Sequence, residues 1–414
     1  MVGLAIGLAT SASSACGDAV VSASQVPKVF ASIGAPVVRT DPSLVRLVDA
    51  VRRSGLGRVI GAVGYDQTQW LRSASVPGGF ATWTADNAVI GFRGPRGMVH
   101  WGLRQTSDQQ AWAVVADTFV NLDLHPHRQV RAAGYEVGTG AARWCANLGS
   151  PTVYGDSLTV AAGSARSTWV VTAGDTLSHV DAEGRVGTPV ALTGVDRAAY
   201  VAQIGSLLVV GGRPSHLLTA PDPTVPAPPA GAPAVTGFDA ASLAVRWRWG
   251  RGLVAHVVGQ AGRSLIVEVV NHGTLGLVAL DLDGRERWRT DLPQGTTADM
   301  TLRDRIVVAR SARTLSGYDA ATGARRWTRE LGTGQAFPYG LDLSTQPDVG
   351  SHLLVGTTTA LVSIDPRTGA ARTYPLPSSG SSTTFWPYEI VVSAGSAIVE
   401  TNTGAVLVAL SPHV

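Results

Sequence analysis

The chain has 414 residues, 45% hydrophobic and 15% charged, which is ample for a large core and excludes a disordered or fibrous polypeptide. The net charge of +3 comes from 33 basic residues among which Lys28 is the single lysine. That arginine bias fits a high-GC genome, such as an actinobacterial one, and is not read as nucleic-acid binding. Two cysteines, Cys16 and Cys145, give neither a disulfide framework nor zinc-site spacing.

In chain order, Met1–Ala12 is small and apolar and too short to span a bilayer, so it reads as a secretion signal. Ser13-Ser14-Ala15-Cys16 follows and resembles a bacterial lipobox, with Ser13 where leucine is usual; this makes Cys16 the expected lipidation site, with plain secretion as the alternative. Residues 17–57 read as a polar tether ending in a short helix. Leu44, Leu47, Val48 and Val51 share one face of that helix, Ser43 is the expected N-cap and Gly55 the expected stop.

From Arg58 onward the pattern changes to short β runs such as RVIGAV, SLLVVGG, SLIVEVV, GLVALDL and AVLVAL, separated by turn residues. The unit GYDAATGARRW, ending at Trp327, shows how they are joined. A strand enters Asp319, whose carboxylate accepts turn N–H groups. Gly323 takes the positive φ of a tight reversal, and the returning strand carries a tryptophan. Copies end at Trp144, Trp247 and Trp288, a further unit is marked by Trp101, and a weaker one places Tyr374 at the tryptophan position after Asp365 and Gly369. Asp239 and Asp281 hold the turns of two of these copies. Between Trp144 and Trp247 lies a degenerate unit without tryptophan, its turn held by Asp181 and Gly184, followed by a proline-rich loop insertion at 213–235.

The spacings of 43, 41 and 39 residues between successive tryptophans match four short strands with their turns. The expectation is an all-β chain forming one propeller over 58–414, of about eight four-stranded blades with seven as the alternative. A strand around Trp70 would complete the C-terminal blade, so that the two chain ends pair and no sheet edge is left open.

The Asp-x-x-Thr-Gly-x-x-x-Trp hairpin resembles the tryptophan-docking repeat of the PQQ-like, quinoprotein-alcohol-dehydrogenase-like β-propellers, and the resemblance covers Arg58 to Val414. It implies that Trp70, Trp101, Trp144, Trp247, Trp288 and Trp327 wedge between blades, and that the turn aspartates and glycines are structural. The enzymes of that family hold PQQ with calcium, an aspartate base and typically a disulfide of adjacent cysteines. This chain has no adjacent cysteine pair; Cys145 reads as a buried inert thiol, and Asp281-Leu282-Asp283-Gly284 lacks the ligands that should complete a calcium loop. His125-Pro126-His127 reads as a solvated loop, and no nucleophile elbow or phosphate loop is present. Catalytic, cofactor and metal residues are therefore expected to be none.

Arginines crowd the last strand of several units: Arg246 and Arg248, then Arg285, Arg287 and Arg289, then Arg325, Arg326 and Arg329. Such charge discourages sheet-to-sheet association. It could also form a basic belt facing anionic envelope polymers or lipid headgroups. Together these features lead to a monomeric, non-catalytic, extracytoplasmic scaffold that binds an envelope protein or anionic polymer. A small-ligand sensor or PQQ-dependent enzyme is the alternative.

Overall fold

The structure is a computed structural model. It describes residues 20–26, 30–31, 42–64, 71–84, 89–104, 110–115, 117–125, 129–148, 159–162, 168–172, 176–181, 183–192, 200–212, 231–271, 274–311, 313–332, 348–349, 351–357, 359–375, 389–400 and 404–411. Among these residues the strands form eight antiparallel sheets, seven with four strands and one with five.

The fifth sheet shows the pattern and its cause. Its strands are Val254–Ala261, Ser264–Asn271, Thr274–Asp281 and Glu286–Asp291, hydrogen-bonded in chain order. The third strand, TLGLVALD, is buried at every residue after Thr274, because both its faces are covered by neighbouring sheets. The fourth strand, ERWRTD, alternates between half-buried and exposed, as a strand with one face in solvent must. The same contrast separates the fully buried Leu207–Gly211 from the alternating Val245–Trp249 in the fourth sheet.

Each sheet packs on the next through its own apolar cluster. Phe92 and Leu103 meet Phe119 and Tyr135 between the first and second sheets. Val120 and Trp144 meet Val180 between the second and third, and Leu177 meets Leu208 and Phe238 between the third and fourth. The series continues through Val209 with Val267, Ile266 with Val307, and Val308 with Leu353. Leu354 and Tyr374 then meet Ile390, and the last sheet meets the first where Ile398 and Leu407 pack on Phe80. This side-by-side arrangement of radially packed sheets is a single β-propeller.

The eighth sheet takes strands from both ends of the chain. Glu389–Ser393, Ser396–Glu400 and Gly404–Leu410 are followed by Gly57–Gly64, which pairs with the C-terminal strand from Gly57↔Leu410 to Gly64↔Gly404. The strand that completes this sheet is therefore Gly57–Gly64, and not one around Trp70 as expected; Trp70 lies outside the described residues. Ser393 Oγ adds a buried hydrogen bond of 2.8 Å to the Val76 carbonyl of the first sheet.

The expected helix spans Pro42–Ser54 and buries Leu44, Leu47, Val48 and Val51 against the seventh and eighth sheets. It starts two residues earlier than the reading of Ser43 as N-cap allows: Pro42 occupies the first turn, where a missing N–H costs nothing, and Ser43 lies inside the helix. Arg52 and Arg53 sit in the last turn, where the helix dipole favours cations, and Gly55 ends the helix at φ +74.

The segment read as an aperiodic tether is in part ordered. Val20–Ser22 pairs antiparallel with Val99–Arg104 as the fifth strand of the first sheet, and a short 3-10 turn Ala23–Gln25 follows. Val26 then packs into space left by two glycines: a Cβ on Gly91 or on Gly102 would lie 2.6 or 2.5 Å from its methyls. Most of the proline-rich insertion lies outside the described residues. Its last residue, Val235, opens the third strand of the fourth sheet, so the insertion interrupts that sheet and does not divide two domains.

Candidate functional site

The repeated hairpins join the sheets to one another, and their geometry shows which residues are committed to that task. A recurrent register shift in the third-to-fourth strand pair sets Trp144 opposite Gly134, Trp247 opposite Gly237 and Trp327 opposite Gly317. These glycines are required by the ring above them: a Cβ on Gly317 would lie 2.3 Å from the Trp327 indole. In the fifth sheet the small residue opposite Trp288 is Ala279.

From that position the indole reaches the hairpin of the following sheet. Trp101 Nε1 donates to the Val137 carbonyl at 2.7 Å, Trp247 to Leu282 at 2.9 Å, Trp288 to Ala320 at 3.2 Å and Trp327 to Pro366 at 2.7 Å. The turn glycine of that hairpin lies over the ring. A Cβ on Gly140, Gly284, Gly323 or Gly369 would come within 2.7 Å of Trp101, Trp247, Trp288 and Trp327 respectively. Each of these glycines also has φ between +71 and +76. One residue thus satisfies both the turn and the stacking surface.

The turn aspartates are equally occupied. Asp319 accepts the Ala321 N–H at 2.8 Å and a bond from Arg326 Nε at 3.1 Å, while Asp365 accepts from Arg367 N–H and Thr368 Oγ1. Asp281 accepts the N–H groups of Asp283 and Arg285 and pairs with Arg287 at 3.2 Å. Asp239 accepts the N–H groups of Ala241 and Ser242, the Ser242 hydroxyl and Arg246. The bonds from Ser242 and then from Arg246 pull its pKa down to about 2. Asp319 is likewise held below the usual carboxylate range, chiefly by Arg326.

This pairing changes the arginine pattern. Arg246, Arg287 and Arg326 each neutralise the aspartate of their own hairpin, and Arg289 pairs with Glu286. Arg143 bridges Asp117 and Glu136. Arg248, Arg325 and Arg329 are exposed without an ion pair among the described residues, so the free part of the basic surface is smaller than the sequence count implies. His125 ends the second strand of its sheet, while His127 lies outside the described residues.

Cys145 departs from expectation. It lies half-buried on the fourth strand of the second sheet, and it is disulfide-bonded and not a free inert thiol. Cys16 lies outside the described residues. Among the described residues no helix is long and apolar enough to cross a membrane, and no group of three or more His, Cys, Asp or Glu is placed to hold a metal ion.

Residues 232–410 match the family described as "PQQ_2: Outer membrane protein assembly factor BamB". No curated protein matches the chain in sequence. Among solved structures it is similar to the computationally designed Ika8 protein, at 13% identity over 84% of this chain and 98% of that one, with a TM-score of 0.57. It is also similar to the Dos1 propeller, at 8% identity over 82% and 89%, with a TM-score of 0.51. A third likeness is to BamB from Moraxella catarrhalis, at 13% identity over 85% and 99%, with a TM-score of 0.48. The chain is thus a β-propeller whose residues 232–410, with their repeated indole docking, are similar to the PQQ-like repeat family.

Proposed function

We propose that this propeller is a non-catalytic interaction scaffold working outside the cytoplasm, offering its loops and channel to a protein partner or to an anionic polymer of the cell envelope. The observation that carries the reading is the match of residues 232–410 to a family described as an outer membrane protein assembly factor. The repeated aspartates and tryptophans support it, because they are committed to joining sheets and leave recognition to the segments that differ between repeats. In this reading Gly57–Gly64 on Gly404–Leu410 acts as the clasp that holds the ring of sheets shut. The exposed Arg248, Arg325 and Arg329 would serve an anionic partner. Placement outside the cytoplasm rests on the Met1–Ala12 signal, with the mature protein either released or held by lipid at Cys16.

The test is capture of partners by the tagged full chain, cross-linked in cells and recovered from envelope fractions. A specific protein recovered with the wild-type chain, and lost when loop residues but not Trp288 are altered, supports the scaffold. Dye-linked alcohol oxidation by the purified chain on addition of PQQ and calcium would overturn it.

A further inference from the structure

We infer that the fifth and sixth sheets each carry an arginine clamp for a phosphate group, and that the two clamps together bind a linear polyol-phosphate polymer. This deepens the anionic-polymer branch of the scaffold reading above and rests on it. In a four-stranded meander the turn between the first two strands and the hairpin between the last two open at the same end. Backbone bonds of 2.9 Å set the two against each other: Val137 N–H donates to Asp117, Ala240 to Ser206 and Ala320 to Arg305. Asp117, Ser206, Arg263 and Arg305 are the second residues of the two-residue turns in the second, fourth, fifth and sixth sheets. In the second and fourth sheets the arginine just before the docking tryptophan reaches this turn residue. Arg143 pairs with Asp117 at 2.6 Å, and Arg246 donates to the Ser206 hydroxyl at 3.4 Å.

In the fifth and sixth sheets the same two places hold arginine twice, Arg263 with Arg287 and Arg305 with Arg326. Arg287 and Arg326 bond the turn aspartates Asp281 and Asp319, while the exposed Arg263 and Arg305 have no ion pair among the described residues. Where the second sheet supplies its own carboxylate, these sheets present a second guanidinium, so an anion from outside takes the place that Asp117 fills. The exposed Arg285 and Arg325 stand on the same hairpins and add to the charge. Of the nearby acids, Asp283 is exposed and Asp304 pairs with Arg367 at 3.4 Å. Arg305 also holds φ +65 at a turn position where the eighth sheet uses Gly395 at φ +73, a strained conformation kept with an arginine in it. Two guanidinium forks suit a tetrahedral phosphate, which offers oxygens to both, better than a planar carboxylate. A strand-like polymer fits clamps confined to neighbouring sheets, whereas a flat anionic membrane would also meet Asp117 and Glu136 at this end of the second sheet. Trp288 and Trp327 lie under Gly323 and Gly369 and offer no open face on which bases could stack, which disfavours nucleic acid.

The test is the binding of labelled poly(glycerol phosphate) to the purified full chain, read by fluorescence anisotropy at about 50 mM salt. Arg263→Asp with Arg305→Asp rebuilds the ion pair of the second sheet in both clamps. That variant should keep the wild-type melting temperature and lose about tenfold or more in affinity. Arg251→Asp with Arg313→Asp makes the same change of charge in connections at the opposite end and should bind as wild type. Should the first pair fail to fold, Arg263→Ser with Arg305→Gly, which copy Ser206 and Gly395, carries the same expectation. Inorganic phosphate should bind roughly 100-fold more weakly than the polymer, because it engages one clamp at a time. Undiminished binding by the clamp variants, equal loss in the opposite-end pair, or inorganic phosphate binding as tightly as the polymer would each overturn the clamps. Tighter binding of a single-stranded oligonucleotide or of phosphatidylglycerol vesicles would do the same. The two readings fail separately. A specific envelope protein captured equally by wild type and clamp variant, with no polymer bound, overturns the clamps and leaves the scaffold. Polymer bound at the clamps of a chain found in the cytoplasm overturns the extracytoplasmic reading and leaves the clamps.

Discussion

Trp101→Ala and Trp288→Ala remove the same side chain from the same position of two hairpins, and the structure predicts that they differ. Trp101 is 3% exposed, and its ring stacks on Phe92 with centroids 3.7 Å apart. Trp288 is half-buried and relies on Gly323 above its ring and a longer hydrogen bond of 3.2 Å. Truncating a fully buried tryptophan costs about 3–5 kcal/mol through lost transfer energy and the cavity left behind. The orphaned Val137 carbonyl adds about 1 kcal/mol. Trp101→Ala should therefore lie near the top of that range, about 4–5 kcal/mol. For Trp288→Ala, solvent already reaches part of the ring and can fill the space, so about 2–3 kcal/mol is expected. Urea titrations followed by far-UV circular dichroism measure both, alongside Trp101→Phe, which keeps a stacking ring and should lose about 1–2 kcal/mol. Equal costs for the two alanine variants, or a larger cost at Trp288, would refute the argument that burial and stacking set the strength of each junction.

Further outcomes follow from the same contacts. Gly323→Ala should cost well over 2 kcal/mol, because its Cβ would meet both Thr290 and the Trp288 ring, whereas Gly205→Ala, with open space around it and φ +60, should cost about 1 kcal/mol; thermal melts of the pair check this. Because folding lowers the Asp239 pKa from 3.8 to about 2, its stabilising contribution is fully present above pH 3.8 and is lost as pH falls through about 2; Asp239→Asn should flatten melting temperature against pH in that window. Val51→Asp, on the helix face buried at 0% exposure, should unfold the seam between the seventh and eighth sheets, seen as loss of hydrogen-exchange protection in Gly404–Leu410 before other strands. Leu243→Gly should change stability by less than about 1 kcal/mol, since relief of a left-handed backbone at φ +56 offsets lost packing; a loss above 2 kcal/mol in urea would show that the side chain dominates.

The sequence revealed whatever repeats and hid whatever depends on contacts between distant segments. Hairpins announce themselves because Asp319, Gly323 and Trp327 each answer a local demand of turn or ring, and the same demand recurs one repeat later. The partner strand of Gly404–Leu410 carries no such mark. Gly57–Gly64 has a β pattern but no tryptophan, while GYDQTQW resembles a repeat, so the eye goes to Trp70. Val20–Ser22 is three residues long, too short for periodicity, and is held by an edge that only the folded first sheet creates. The arginines misled for a similar reason: their number is visible in the chain, but their neutralisation by Asp239, Asp281 and Asp319 depends on hairpin geometry.

The degenerate third unit shows how far the docking rule reaches. Where a sheet supplies an indole, the next hairpin carries glycine at the residue that faces it, as Gly140, Gly284, Gly323 and Gly369 do. The fourth strand of the third sheet, Val190–Ala191, carries no tryptophan, and the hairpin that follows places Leu243 where the others have glycine, in the same left-handed conformation at φ +56. Leu243 is partly buried and packs against the apolar cluster that holds Leu177, Leu208 and Phe238 between the third and fourth sheets. The backbone strain of a non-glycine residue in that region, about 1–2 kcal/mol, is offset by apolar burial at a junction that would otherwise be hollow. Loss of the tryptophan and loss of the glycine are thus one change seen from two neighbouring repeats. The unit that looked degenerate in isolation is complementary to the next hairpin once the two sheets are packed together.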